Sequence, residues 1–142
     1  MARLFHLTVL KQDGKVFEGD VVHVRAPGLD GSFGILARHA PMVAELGVGE
    51  LRARSAADGG ELLMACAGGV IEVRADGQVV VLAGAAELAE EIDLARAQAA
   101  AERARGRLKA APHDPYLDVE RARAALARAL NRIRVARHRQ PR

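Results

Sequence analysis

Residues Val79–Leu108 read VVVLAGAAELAEEIDLARAQAAAERARGRL, and the grammar of the chain changes inside them. The opening VVVLAG is a short apolar run, rich in valine, as strands are. From Glu87 onward alanine dominates and the period becomes helical. Asp93 and three arginines, Arg96, Arg103 and Arg107, recur at intervals of three, seven and four. At about 100° per residue these four fall within one face of a helix. Two readings follow. Asp93 is a helix-start residue suited to the macrodipole, with a local i,i+3 partner in Arg96 and solvated arginines beyond it. Alternatively, the four residues form a site.

Upstream, the pattern is that of strands. FHLTVL, VVHVRA, ELRARS, ELLMACA, VIEVRA and QVVVLAG are short, rich in Val and Leu, and partly alternate apolar with polar. Turn signals separate them: QDGK, PGLDGS, ADGGE and RADGQ. VIEVRADGQVVVL reads as a hairpin, because Asp76-Gly77 can supply the positive φ angles of a tight turn. Twelve of the 14 glycines lie at or before Gly77. Residues 1–86 are therefore expected to form an all-β sandwich or barrel.

Downstream, residues 87–142 are expected to form a helical hairpin. KAAPHDPYLD breaks it, since Pro112 and Pro115 cannot continue a helix. In the second helix Val119, Ala122, Leu126, Ala129, Ile133 and Ala136 form a narrow apolar seam, suited to close packing on one other helix. Gly106 should weaken the first helix near its end by about 1 kcal/mol relative to alanine.

Composition excludes several classes. With 142 residues, half of them hydrophobic, the chain can bury a core as one domain or a small domain with an appendage. Aromatics are 3% with no Trp, which argues against base stacking on nucleic acid. No run approaches the roughly 18 apolar residues of a membrane span, and no signal peptide is evident, so a soluble intracellular protein is expected. The single Cys66 excludes an internal disulfide. Charge is uneven: −2 over residues 1–86, +5 over 87–142, and +7 over the last 24 residues. A basic end of this kind suggests an acidic partner; the plainer reading is a solvated helix face.

No catalytic constellation stands out. The five histidines (His6, His23, His39, His113 and His138) lack metal-ligand spacing, and no metal site is expected. His6 and His23 read as structural strand histidines, and Cys66 as a small buried hydrophobe. The stretch DGSFGILARHAPMVAELGVGEL spends four glycines and Pro41 on shaping backbone, yet displays Phe33, Ile35, Leu36 and Met42. It reads as an apolar loop that forms a contact surface.

GSFGILARHAPMVAELGVGEL, the run Gly68–Val73 and VVVLAGAAELAEEIDLARAQAAAERARGRL together resemble the epsilon-subunit family of bacterial F-type ATP synthases. The resemblance covers nearly the whole chain in order. It implies an α+β two-domain subunit: a flattened β-sandwich followed by an antiparallel α-helical hairpin. It implies a non-catalytic rotor-stalk role in ion-gradient-driven ATP synthesis at the cytoplasmic face of the bacterial plasma membrane, without membrane insertion. The implied partners are the gamma subunit, the c-ring and the alpha and beta subunits, with no nucleic acid among them. Contacts to gamma and the ring would fall at the His39 loop with Pro41 and Met42, and at the Ser32-Phe33 turn. Family members often carry an acidic residue where Ser32 stands, and Pro-Gly where this chain has Ala37-Arg38.

In the family the hairpin regulates: folded down it packs on the sandwich, and extended it enters the catalytic head and blocks ATP hydrolysis. Arg121, Arg123, Arg128, Arg132 and Arg134 are the matching candidates for contact with acidic beta segments. Some members bind ATP through an I/L-D-x-x-R-A motif. The matching positions are Glu87, Ile92, Asp93, Arg96, Ala97 and Arg103, with Arg128 and Arg132 from the second helix. Arginine forks suit phosphate oxygens. ATP would be a regulatory ligand, with no cofactor required. The rival functions are an arginine-rich nucleic-acid binder with steep salt dependence, and a scaffold whose hairpin only oligomerises.

Overall fold

The computed structural model describes residues 3–139; the outermost ends of both expected domains, with Arg142 of the basic tail, lie outside the described residues. Six strands come first: β1 Phe5–Lys11, β2 Gly14–Gly28, β3 Gly31–Leu36, β4 Met42–Ser55, β5 Glu61–Val73 and β6 Val79–Leu88. A 3-10 turn at Ala89–Glu91 leads to α1, Leu94–Ala110. A second 3-10 turn at Ala111–His113 precedes α2, Val119–His138.

The strand order is β1-β6-β5-β4-β2-β3, and β1 also pairs with β2, so the sheet closes on itself into a sandwich. Alternation places the core. Phe5, Leu7 and Val9 of β1 and Val79, Val81 and Ala83 of β6 are buried, and their strand neighbours are half-buried or exposed. Each fully buried valine or leucine contributes about 1.5–3 kcal/mol relative to an exposed one. In β5 the alternation fails: Leu63, Met64, Ala65 and Cys66 are all buried. Met64 and Cys66 face the sandwich interior, whereas Leu63 and Ala65 lie under α2, so this strand is covered on both faces.

The hairpin around Asp76-Gly77 forms as expected. Arg74 and Gln78 close it through Arg74 N–H to Gln78 O at 2.8 Å, and only Gly77 takes a positive φ, 89°. Asp76 contributes its carboxylate to Gln78 N–H at 3.0 Å.

Two expectations need correction. ELLMACA and VIEVRA are one strand, β5, because Gly68 and Gly69 adopt φ of 73° and 117° and let the ladder bend without a turn. The stretch read as an apolar loop is mostly β3 and the start of β4. Ser32 and Phe33 thus sit in β3 opposite Pro27 and Ala26, and the preceding turn lies at Leu29–Asp30. Pairing with β2 sends Ile35 into the core, with Phe33 and Met42 packed against it, so of the four displayed residues only Leu36 is exposed.

The β3–β4 turn is closed by His39 N–H to Leu36 O at 3.2 Å, and Arg38 has φ 66°. It is the one described non-glycine residue with positive φ. A side chain in left-handed geometry costs roughly 1–2 kcal/mol, part of which glycine returns through its freer unfolded chain. Arg38→Gly is expected to raise stability by about 0.5–1 kcal/mol, read as a higher urea midpoint with an unchanged slope. Arg38→Val is expected to lower it.

Candidate functional site: the docked hairpin

The helices form as their sequences require. Asp93 caps α1, its Oδ1 accepting from Arg96 N–H at 3.1 Å, and Asp118 caps α2 in the same way through Arg121 N–H at 3.0 Å. Such caps contribute about 1 kcal/mol each. The buried residues of α1 are Ala97, Ala101 and Ala104, and α1 packs chiefly on α2. The α2 seam answers it with Ala122 and Ala129 buried and Val119, Leu126, Ile133 and Ala136 half-buried. Gly106 is accommodated inside α1, which runs on to Ala110.

The opposite side of α2 lies on β4 and β5. Val135, 0% exposed, packs with Leu63, Ala65 and Ala89, with Ile92 at the margin. Three polar links surround this small cluster. Asn131, 2% exposed, donates from Nδ2 to Gly49 O at 2.9 Å and Cys66 O at 3.3 Å. Its Oδ1 accepts from Arg134 Nη2 at 3.1 Å. Arg132 grips Glu87, Nε to Oε1 at 2.9 Å and Nη2 to Oε2 at 3.5 Å. At the end of α2, His138 Nδ1 lies 2.8 Å from Glu50 Oε2, while Arg52 Nη2 donates to Glu50 Oε1 at 2.6 Å.

Electrostatics follow these contacts. Partial burial pushes the Glu50 carboxyl up, but hydrogen bonds from Arg52 and His138 outweigh it, and the group sits below the ordinary carboxylate range. The Glu50 carboxylate in turn raises the Arg52 guanidinium. Burial pushes the Cys66 thiol up to about 11, so it stays protonated and inert.

Beside α2 a cleft of about 740 Å³ opens between β6, the β1–β2 turn and the helix. Lys11, Asp13, Glu87, Arg128 and Arg132 supply its charged lining. Of the eight nucleotide candidates, the structure brings Glu87, Arg128 and Arg132 together here. Ile92 is in the apolar cluster, Ala97 is in the helix seam, and Asp93 is occupied as a cap. Arg96 and Arg103 are exposed on α1, outside the cleft lining.

The proposed beta-contacting arginines are in different states. Arg132 and Arg134 are tied to the sandwich or to Asn131, and Arg123 pairs with Glu120 at 3.0 Å. Arg121 and Arg128 make no ion pair among the described residues. Of the gamma and ring candidates, Ser32 and Pro41 are exposed, and His39 is half-buried with Nδ1 2.8 Å from Ala40 O. Phe33 and Met42 serve the core; the exposed apolar side chains nearby are Leu36 at 66% and Val43 at 70%.

Sequence reasoning missed Asn131, Val135 and the Glu50–His138 link. Asn131 carried a signal, being the only asparagine in the chain and set in a helix of alanine, leucine and arginine. The others depend on which strands the hairpin covers.

Comparison with known proteins fits this architecture. Residues 4–89 match the family described as "ATP synthase, Delta/Epsilon chain, beta-sandwich domain", and residues 90–137 match "ATP synthase, Delta/Epsilon chain, long alpha-helix domain". The ATP synthase epsilon chain of Halalkalibacterium halodurans is 48% identical over 111 residues, covering 77% of this chain and 80% of that protein. That of Alkalihalophilus pseudofirmus is 46% identical over 108 residues, covering 76% and 79%. Among solved structures, a chain of the Euglena gracilis mitochondrial ATP synthase (OSCP/F1/c-ring) superposes with a TM-score of 0.79 at 25% identity, covering 95% of this chain and 82% of that one. A β-sandwich and a helical hairpin, each matched in order, place this chain in the ATP synthase delta/epsilon family, as an epsilon chain.

Proposed function

We propose that this chain is a non-catalytic central-stalk subunit that links the catalytic head to the ion-translocating ring, and that its hairpin is a reversible brake on ATP hydrolysis. The observation that carries the brake is the character of the docking surface. It buries Val135 against Leu63, Ala65 and Ala89, with Ile92 at the margin, and relies for the rest on Asn131, Arg132 and His138. A packed core does not come apart; a surface of this kind does, since partly exposed ion pairs contribute roughly 0–1 kcal/mol each.

In the docked state Arg132 and Arg134 are engaged, and on release they become available to an acidic segment of the beta subunits. That gives the basic end of the chain its partner. The exposed apolar residues Leu29, Leu36, Val43 and Val48 offer the surface for gamma and the c-ring. Such a subunit sits peripherally on the cytoplasmic face of a bacterial membrane. No helix among the described residues is long and apolar enough to cross it.

The cleft carrying Glu87, Arg128 and Arg132 is the place for ATP, which would bridge sandwich and α2 and favour the docked state. Calorimetric titration of ATP, with and without Mg²⁺, tests this. Arg128→Ala removes a charge-assisted hydrogen bond of about 1.5–3 kcal/mol and is expected to weaken binding tenfold or more. Arg96→Ala is expected to weaken it only if the nucleotide reaches past the cleft to α1. Affinity unchanged in both variants would remove ATP from the account.

A further inference from the structure

We propose that a second cleft, between β2, β4 and the C-terminal half of α2, binds an anion of the phosphate class and thereby holds the hairpin down. This cleft has a volume of about 520 Å³ and includes Arg25, Ser32, Glu50, Arg52 and Arg134 in its lining. Its three guanidinium groups come from three elements: Arg25 from β2, Arg52 from β4 and Arg134 from α2. It shares no arginine with the cleft that carries Arg128 and Arg132.

Arg25 and Arg52 are cross-strand partners in the β2–β4 ladder. Like charges set directly opposite one another destabilise a sheet unless something compensates them. Arg52 is compensated by Glu50 at 2.6 Å and Glu61 at 3.5 Å. Arg25 is exposed and makes no ion pair among the described residues. Among the described residues Arg134 bonds only to the neutral Asn131 amide oxygen. The one carboxylate in the lining, Glu50, has both oxygens engaged, one by Arg52 and one by His138. Two positive charges therefore face the cleft without an anion.

Arginine forks are matched to tetrahedral oxyanions. An anion that joined Arg25 to Arg134 would tie a sandwich strand to α2. It would act on the residue that accepts from Arg134, and Asn131 in turn holds Gly49 O and Cys66 O. The occupied cleft is thus a second lock on the docked hairpin, independent of the nucleotide.

The test is calorimetric titration of inorganic pyrophosphate into the full chain, with ionic strength matched by sodium chloride. Hydrogen exchange of the Leu63–Ala65 segment under α2 is followed in parallel. Saturable binding with slowed exchange is expected. Arg25→Gln, which leaves the hairpin contacts untouched, is expected to weaken it at least tenfold, and Arg134→Gln likewise, while Arg128→Gln keeps it. Loss in Arg128→Gln with retention in Arg25→Gln would put the anion in the other cleft and overturn the proposal. So would the absence of any saturable heat beyond the chloride control. The absence of saturable heat would leave the ATP titration untouched, since its arginines, Arg128 and Arg132, line the other cleft.

Discussion

Asn131→Leu is expected to free the hairpin from the sandwich while leaving both parts folded. Leucine keeps the helix propensity of α2 but removes the donor to Gly49 O and Cys66 O and the acceptor for Arg134. With the helix docked, the two carbonyls would face an apolar side chain, at a cost of about 1–3 kcal/mol for each group left unsatisfied. Docking should weaken by about 2–4 kcal/mol, on the order of thirtyfold to a thousandfold. Amide exchange reads the outcome. Amides around Leu63–Ala65 and Val135 lose protection, and those of β1 around Leu7 and Val9, inside the sandwich core, keep theirs. Unchanged protection under α2 would show that the apolar cluster alone holds the helix.

Gly69→Ala is expected to damage the sandwich itself. Gly69 has φ 117°, and a Cβ there would stand 2.1 Å from Leu82 O and 2.8 Å from Ala83 Cα, both backbone atoms of β6. Neither can rotate aside, so β5 and β6 would have to part at the bend. Adding the unfavourable φ, the loss should be about 3 kcal/mol or more, seen as a large drop in the urea midpoint or as failure to fold. Gly68→Ala is the control. Its Cβ would meet nothing within 4 Å, so it carries only the cost of its φ of 73°.

These residues also show how far the sequence could be read. The strand-to-helix change in Val79–Leu108 was legible because periodicity and glycine usage both shift there. The β5–β6 hairpin was legible from Asp76-Gly77, and the helix seam from alanine spacing. Gly68-Gly69 was not, because two adjacent glycines suit a turn or a bulge equally well, and only the pairing of both flanks with β4 and β6 decides for the bulge. The stretch Asp30–Leu51 looked like a loop because its glycines interrupt the alternation, yet β2 supplies the ladder for β3 and β5 the ladder for β4, and these make it strand.

The site was legible in part for a similar reason. Helical phase groups residues of one helix, so it put Asp93 beside Arg96 and Arg103. It could not say which face of α1 meets a partner, and that face proved to be alanine, with α2 lying between α1 and the sheet. Glu87 and Arg132, 45 residues apart, meet only through that layering. Asp93 caps α1, as a helix-start residue does. The arginine charge was visible from composition, but its division into engaged and unpaired groups needed the docked geometry.

The most direct test is ATP hydrolysis by a synthase reassembled with its partner subunits and either this chain or Asn131→Leu. If the docked hairpin is the released state of the brake, the variant should assemble normally and hydrolyse ATP several-fold more slowly, because more of its hairpins stand undocked. Hydrolysis equal to or faster than with the unaltered chain, at equal assembly, would contradict the hairpin's role as a brake.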